Sequence, residues 1–512
     1  MTEHKVNKRL HILGIGGTFM GNLALLAKEL GYQVTGYDKV LYPPISDLLA
    51  RADIAVVTDA SIDYNHGRYL AALPEQKKPD AIIVGNALTR GHPLIEYLLD
   101  ASIPLWSGPA WLYRNVLHKK HVIAVAGTHG KTTLTTMLAW MLTQLGRQPG
   151  YLIGGVPEDL EYSASLGKGN VFVLEADEYD TAFFDKRSKF LHYHPKTLII
   201  NNLEYDHADI YPDLAAIQTQ FHHLIKTLPA SGHIIYPADQ EAITQVLQQG
   251  CWSQQRPFHS SFPSSLQNTS EPAKTKQSNQ GYSYQLTQTD GSAFVLLKDH
   301  RIISEIKWPL LGKHNIHNLI AGLTALDCLG IDTQPIYTQL TEFHGVKRRL
   351  ELIMHHEASA IRLYNDFAHH PSAIACTLEA LKASIKTNPY GKLIAVIVPA
   401  SNTMRSGQHQ HQLAQAVQSA DFCLWLVDQP IQWPINTILN AHADCCTMHE
   451  LDHKLQPQIS HGCTIVLMTN GESGMILHAL RQLIQNTDFC IHQHKTILSF
   501  DNMSSDKQIF DQ

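Results

Sequence analysis

The sequence predicts an α/β protein made of three successive units. Short apolar runs alternate with helical patterns along most of the chain, as they do where helices cover a mainly parallel sheet. Two glycine-rich turns each join an apolar run directly to a helical pattern. The length of 512 residues accommodates about three domains of ~150 residues each.

The first unit is placed at residues 1–118. Leu10–Ile15 reads as a strand, Gly-Ile-Gly-Gly-Thr-Phe-Met-Gly as a turn, and the following residues through Leu30 as a helix. Gln33–Tyr37 is a second strand ending at Asp38, and Ile54–Val57 and Ala81–Val84 are further buried strands, which together give a doubly wound pattern. The second unit, 119–340, carries the second glycine turn and the strands Val171–Leu174 and Thr197–Ile200. Within it, His259–Gln280 is rich in Ser, Gln, Asn, Thr and Lys and reads as an exposed insertion. The third unit, 341–490, has strands expected at Ile361–Tyr364, Leu393–Val398, Phe422–Val427 and Thr464–Met468, and a polar tail, 491–512, follows.

The most specific stretch is His121–Gly146. Val122–Ala126 enters Gly127-Thr128-His129-Gly130-Lys131-Thr132-Thr133, which opens into a helix carrying Leu134, Leu138, Met141, Leu142 and Leu145. Strand, glycine loop and helix in this order form a phosphate-binding loop. Gly127 and Gly130 let backbone N–H groups approach an anion, and the helix N-terminus adds unpaired donors. Lys131 bridges terminal phosphates, and the Thr132 hydroxyl suits Mg²⁺. Val125 stands where the general pattern has its first glycine, so the loop is a shortened variant.

The turn at Gly14, Gly16, Gly17 and Thr18, with Asp38 ending the next strand, mimics a dinucleotide fingerprint, but Phe19 occupies the third glycine's place. Its readings are a tight turn, a dinucleotide site or a site for another pyrophosphate. Beyond the phosphate loop, two strand ends carry acids and a histidine: Glu175-Ala-Asp-Glu-Tyr-Asp and Asn201-Asn-Leu-Glu-Tyr-Asp206-His207-Ala-Asp209. Glu175 and His207 are the expected metal ligands of a phosphoryl-transfer centre.

The bulk properties exclude several classes. A net charge of −6 offers no electrostatic case for nucleic acid. No apolar run approaches the ~18 residues of a membrane span, and no apolar segment followed by a cleavage site opens the chain. All eight Cys follow residue 250 and none forms Cys-x-x-Cys, as expected of reduced cytoplasmic thiols.

Taken in order, Gly14–Gly17, Gly127–Thr133, Glu175–Glu178, Asp206-His207, Gly312-Lys-His-Asn-Ile-His-Asn318, Arg348-Arg349 and Asn365-Asp-Phe-Ala-His-His-Pro371 resemble the Mur ligases, ATP-dependent amide-forming enzymes of peptidoglycan synthesis. The resemblance implies a Rossmann-like first domain for a UDP-sugar, a phosphate-loop central domain for ATP and a Rossmann-like third domain for the incoming amine. It also implies roles by position. Lys131 and Thr132 serve phosphate and Mg²⁺, and Glu175 and His207 serve metal. His314, Asn315 and Asn318 line the adenine pocket, Arg349 and Asp366 close on the nucleotide, and His369 or His370 orients or deprotonates the amine.

The Gly-Thr-His-Gly-Lys and His-His-Pro forms resemble the branch acting on UDP-N-acetylmuramate. One of its members adds L-alanine and another adds the tripeptide L-alanyl-γ-D-glutamyl-meso-diaminopimelate. Gly17–Gly21, Tyr42–Pro44, Gly85-Asn86-Ala-Leu-Thr-Arg90-Gly91, Ser107–Trp111, Ser401-Asn402-Thr-Met-Arg405-Ser-Gly407 and Thr469–Gly471 look like the tripeptide member. Small residues after Leu393–Val398 leave room for a longer acceptor, and Arg405 is expected to pair with one of its carboxylates. Asn86, Arg90, Ser401, Asn402 and Arg405 are therefore expected to bind substrate. An alanine ligase, a folate-type glutamate ligase and a nucleotide-gated regulatory protein are the alternatives.

Overall fold

A computed structural model describes residues 8–59, 70, 77–259, 281–386, 391–440 and 442–486. The tail 491–512 and most of the polar stretch 259–280 lie outside the described residues.

Three sheets follow one another along the chain. The first has five parallel strands in the order Ala55–Thr58, Gln33–Asp38, Arg9–Leu13, Ala81–Val84, Leu105–Ser107. Its first strand stops at Leu13, two residues short of the sequence expectation, because Gly14 turns to φ 76° and starts the loop. Helix Thr18–Glu29 follows.

The central sheet has seven strands: Gln254–Phe258, His233–Pro237, Thr197–Ile200, His121–Ala126, Val171–Ala176, Gly150–Leu152 and Ala164–Ser165, parallel except for the last pair. Val122–Ala126 is at most 2% exposed, as expected of a parallel strand covered on both faces. Helices Lys131–Gln144 and Lys313–Cys328 pack together against this sheet. A small antiparallel sheet, Tyr282–Leu286, Ala293–Lys298 and Arg301–Lys307, adds its apolar face to the same core.

The third sheet has the order Glu351–His356, Ile361–Asp366, Thr464–Met468, Leu393–Ile397, Phe422–Leu426, Ala443–Cys446, parallel except for its first strand. Separate apolar clusters cover its two faces.

Polar contacts join the units. The buried Asn22 side chain donates to the Ile153 carbonyl at 2.8 Å and accepts from the Ser163 hydroxyl at 2.6 Å. Within the third unit, Arg348 Nη2 donates to the carbonyls of Thr469, at 2.8 Å, and Gly471, at 2.5 Å, bracing its start.

Candidate active site

The carboxyl ends of the parallel strands from all three sheets turn toward one cavity of about 840 Å³. This is the expected ligand position on open α/β sheets.

The phosphate loop lies at its centre. Gly127 has φ 134°, and a Cβ there would lie 2.9 Å from the Asn202 carbonyl. Gly130 has φ 78°, and a Cβ would lie 2.6 Å from Asn201 Nδ2. Both positions require glycine through conformation and space together. Asn202 accepts from the His129 amide at 2.8 Å, and the Asn201 and Asn202 side chains donate to the His129 carbonyl, so the neighbouring strand end shapes the loop.

Lys131 Nζ donates to the Gly127 carbonyl at 2.7 Å and lies 3.6 Å from Asp177 and 3.8 Å from Glu178. Burial alone pulls its pKa down, but Glu178, Asp177, Glu175 and Asp206 outweigh it and raise it, so the ammonium is charged. Thr132 Oγ1 donates to Glu175 Oε2 at 3.1 Å, and Glu175 Oε1 accepts from the Gly154 amide. Burial, then Asp177, pushes Glu175 up to about 7. His207 Nε2 lies 2.9 Å from Glu178 Oε1. Burial opposes ionisation of both, yet Lys131 and His207 hold Glu178 down at about 2, and Glu178 raises His207. His207 sits at φ 58°, a strained value for a non-glycine residue.

Helix Lys313–Cys328 presents its first turn to the loop. Asn318 Oδ1 accepts from Asn201 Nδ2 at 3.0 Å, and Asn315 Nδ2 donates to the Leu311 carbonyl at 2.8 Å. Burial holds His314 down at about 4, leaving a neutral ring on the cavity wall.

From the third unit, Arg349 Nη2 donates to Thr132 Oγ1 at 3.3 Å, and its guanidinium lies 4.4 Å from the Phe367 ring centre. Arg348 and Leu350 on either side have φ 61° and 55°, a local strain that aims Arg349. Asp366 secures this turn by accepting from the amides of Leu350 at 2.6 Å and Ala368 at 2.7 Å. His369 Nδ1 faces the Phe367 carbonyl at 2.9 Å, which fixes Nδ1 as the protonated nitrogen and leaves Nε2 as the basic one.

On the first unit, Asp38 Oδ2 accepts from the Gly16 amide at 2.7 Å, so carboxylate and glycine turn are one structure. Helix Thr18–Glu29 has no side-chain cap bond at Gly17.

The cavity therefore collects Gly14, Gly16, Gly17, Thr18, Asp38, Asn86, Thr128, His129, Gly130, Lys131, Thr132, Thr133, Glu175, His207, His314, Asn315, Asn318, Arg349, Asp366 and His369. Six expected residues do not line it. Gly127, the first residue of the loop, is buried and does not reach the cavity wall. Arg90 pairs through Nε and Nη2, each at 3.0 Å, with Glu96. Ser401 caps helix Asn402–Ser406, Asn402 reaches Asp209 at 3.4 Å, and Arg405 donates to the Pro430 carbonyl at 3.3 Å. His370 caps helix Pro371–Ile385, and its Nε2 bonds the Tyr205 carbonyl at 3.2 Å.

Sequence reasoning did not select Asp177, Asn201, Asn202, Glu204 and Asp206 as site residues, although all line the cavity, nor Glu178, which lies behind them against Lys131 and His207. The available signal was their position at strand ends beside the phosphate loop.

Comparisons with known proteins fit this geometry. Residues 9–120 match the Mur ligase family, catalytic domain, and residues 125–326 match the Mur ligase middle domain. The chain is 42% identical over 475 residues to the UDP-N-acetylmuramate–L-alanyl-γ-D-glutamyl-meso-2,6-diaminoheptandioate ligase of Escherichia coli (strain K12), covering 91% of this chain and 96% of that one. A crystal structure of a murein peptide ligase from Psychrobacter arcticus superposes with a TM-score of 0.67 at 37% identity, covering 93% of this chain and 99% of that one. The UDP-N-acetylmuramate–L-alanine ligase of Desulfitobacterium hafniense is 29% identical over 414 residues, covering 80% of this chain and 82% of that one. Both domain matches and the near full-length identity lead to one conclusion: the chain belongs to the Mur ligase family.

Proposed function

We propose that this enzyme joins L-alanyl-γ-D-glutamyl-meso-diaminopimelate to UDP-N-acetylmuramate, using ATP, as a step of peptidoglycan recycling. The observation that carries the reading is the meeting of three elements in one cavity: the glycine turn with Asp38, the phosphate loop, and Arg349 with His369. The higher identity to the tripeptide ligase, 42% against 29% for the alanine ligase, favours the peptide over alanine. We assign the UDP-sugar to residues 1–118, ATP to 119–340 and the peptide to 341–490, and the reaction to the cytoplasm, where ATP is supplied.

The donor set suits Mg²⁺. Thr132 and Glu175 offer oxygen beside the phosphate loop, and Glu178 Oε2 is buried without a hydrogen-bond partner. Thr132, Glu175 and His207 would hold the ion, which when bound neutralises charge on phosphate oxygens.

In the first step a lactyl carboxylate oxygen bonds to the γ-phosphorus as the bond to the bridging oxygen breaks, leaving ADP and an acyl phosphate. Lys131 exchanges its contact with the Gly127 carbonyl for phosphate oxygens, and the loop amides stabilise the developing charge. Asn315, Asn318 and His314 position the nucleotide base. Arg349 presents its guanidinium to the same phosphates while Thr132 and Phe367 hold its direction. In the second step the alanyl nitrogen attacks the acyl carbon and inorganic phosphate departs. His369, whose Nε2 is the basic nitrogen, accepts the amine proton. Closure of the third unit keeps water from the acyl phosphate.

The acyl-phosphate route is tested by labelling the lactyl carboxylate with ¹⁸O. Transfer of one label to inorganic phosphate per turnover is expected; phosphate without label rules this route out.

A further inference from the structure

A second cluster lies beside the phosphate loop, with His129 and Glu204 on the wall of the same cavity and chemistry different from that of the Thr132–Glu175 pair. His129 of the loop, Glu204 after strand Thr197–Ile200, and His370 at the start of helix Pro371–Ile385 each offer one ligand atom, and the three atoms lie within 4.8 Å of one another. His370 Nδ1 is already 3.4 Å from Glu204 Oε2, close to the ~3.3 Å edge of a tetrahedron with metal–nitrogen bonds of about 2.0–2.1 Å.

The surrounding bonds prepare the ligands. The Tyr205 carbonyl faces His370 Nε2 at 3.2 Å, which places the proton there and leaves the Nδ1 lone pair toward Glu204. This is the outer-shell arrangement that orients metal-binding histidines. A long contact from the Ser372 amide, 3.4 Å, competes for Nδ1. Glu204 is held by its own amide, which donates to Thr128 Oγ1 at 2.8 Å, and by the Ser372 hydroxyl, which donates to Oε2.

Two further atoms are unsatisfied. His129 Nε2 and His409 Nε2 are both buried without a hydrogen-bond partner. Their rings each lie 4.5 Å from the centroid of the 3% exposed His370. A buried nitrogen with no partner carries a desolvation cost, which a bound cation would offset.

We propose that His129, Glu204 and His370 form a site for a borderline transition-metal cation of the Zn²⁺, Co²⁺ or Ni²⁺ class, with water as the fourth donor. Two imidazoles and one carboxylate select such ions over Mg²⁺, which prefers oxygen. The ligands come from the phosphate loop, the central sheet and the third unit, so the cation clamps the third unit onto the nucleotide loop. The inference goes beyond the ligase reading and stands independently of it.

The test uses the full chain, stripped with a chelator and titrated with Co²⁺ in excess Mg²⁺. The wild type is expected to bind one equivalent with the visible absorption of a four-coordinate site. Affinity should fall at least about tenfold in Glu204→Gln and His370→Asn and persist in His207→Asn, with melting curves verifying that each variant is folded. His129→Gln removes a ligand from a different segment and should give the same loss. Wild-type Co²⁺ affinity in both Glu204→Gln and His370→Asn overturns the proposal.

Discussion

Arg349 of the third unit donates to the hydroxyl of Thr132, the first-turn threonine of the phosphate loop, at 3.3 Å. The two are 217 positions apart in sequence, and this bond brings a guanidinium from one sheet to the nucleotide site of another. Arg349→Lys keeps the charge but loses the planar stack on Phe367 and the fork geometry. ADP release should fall by about 10²-fold, the order of loss expected when a positioned group is displaced. Stopped-flow nucleotide binding should change far less, because the phosphate loop itself is untouched.

Lys131→Ala removes the cation proposed to meet the transferred phosphoryl group. A loss of about 10²–10³-fold in kcat is expected. Calorimetric binding of UDP-N-acetylmuramate should be nearly unchanged, since Gly14, Gly16 and Asp38 lie on a separate sheet. Turnover at the wild-type rate would contradict the assignment of the loop.

Gly16→Ala tests the sugar-nucleotide turn. A Cβ at Gly16 would lie 2.8 Å from Asp38 Oδ2 and 3.1 Å from Leu41 Cδ2, so the carboxylate must shift and the amide bond it accepts is disturbed. KM for UDP-N-acetylmuramate should rise about tenfold, or about 1.4 kcal/mol, with KM for ATP unchanged.

Acid stability follows from His11. It is 2% exposed, and burial holds it down at about 4. The unfolded chain takes up this proton near pH 6.5 and the folded chain only near 4, so the unfolded state binds more protons between these values. Stability is present in full above about 6.5 and is lost as pH falls through this window, by about 2 kcal/mol at pH 5. Urea unfolding of His11→Gln, which does not titrate, should show a correspondingly smaller loss between pH 7 and 5.

Much of this site was legible because its chemistry sits at element junctions. The run Val122–Ala126 followed by Gly127 and a helical pattern announces a strand, a loop and a helix whatever follows, and those elements are present. Strand ends carrying Glu175 and His207 were readable for the same reason. The partners of those residues were not. Spacing places Glu178 three residues past Glu175, but only the fold shows that Glu178 bonds His207 and faces Lys131. Arg90 illustrates the opposite failure, since a carboxylate six residues away, Glu96, satisfies it locally. The small sheet 282–307 escaped notice because its strands Tyr282–Leu286 and Arg301–Lys307 carry many polar residues on the face away from the core.

The central claim is that the acceptor is the tripeptide. Arg405, expected from the sequence to pair with a peptide carboxylate, donates instead to the Pro430 carbonyl away from the cavity lining, so the claim rests on the acceptor assay and not on that residue. The direct measurement is ADP release from ATP and UDP-N-acetylmuramate with L-alanyl-γ-D-glutamyl-meso-diaminopimelate, with L-alanine, or with no amine. Release with the tripeptide alone is the predicted result; release with alanine but not with the tripeptide would contradict it.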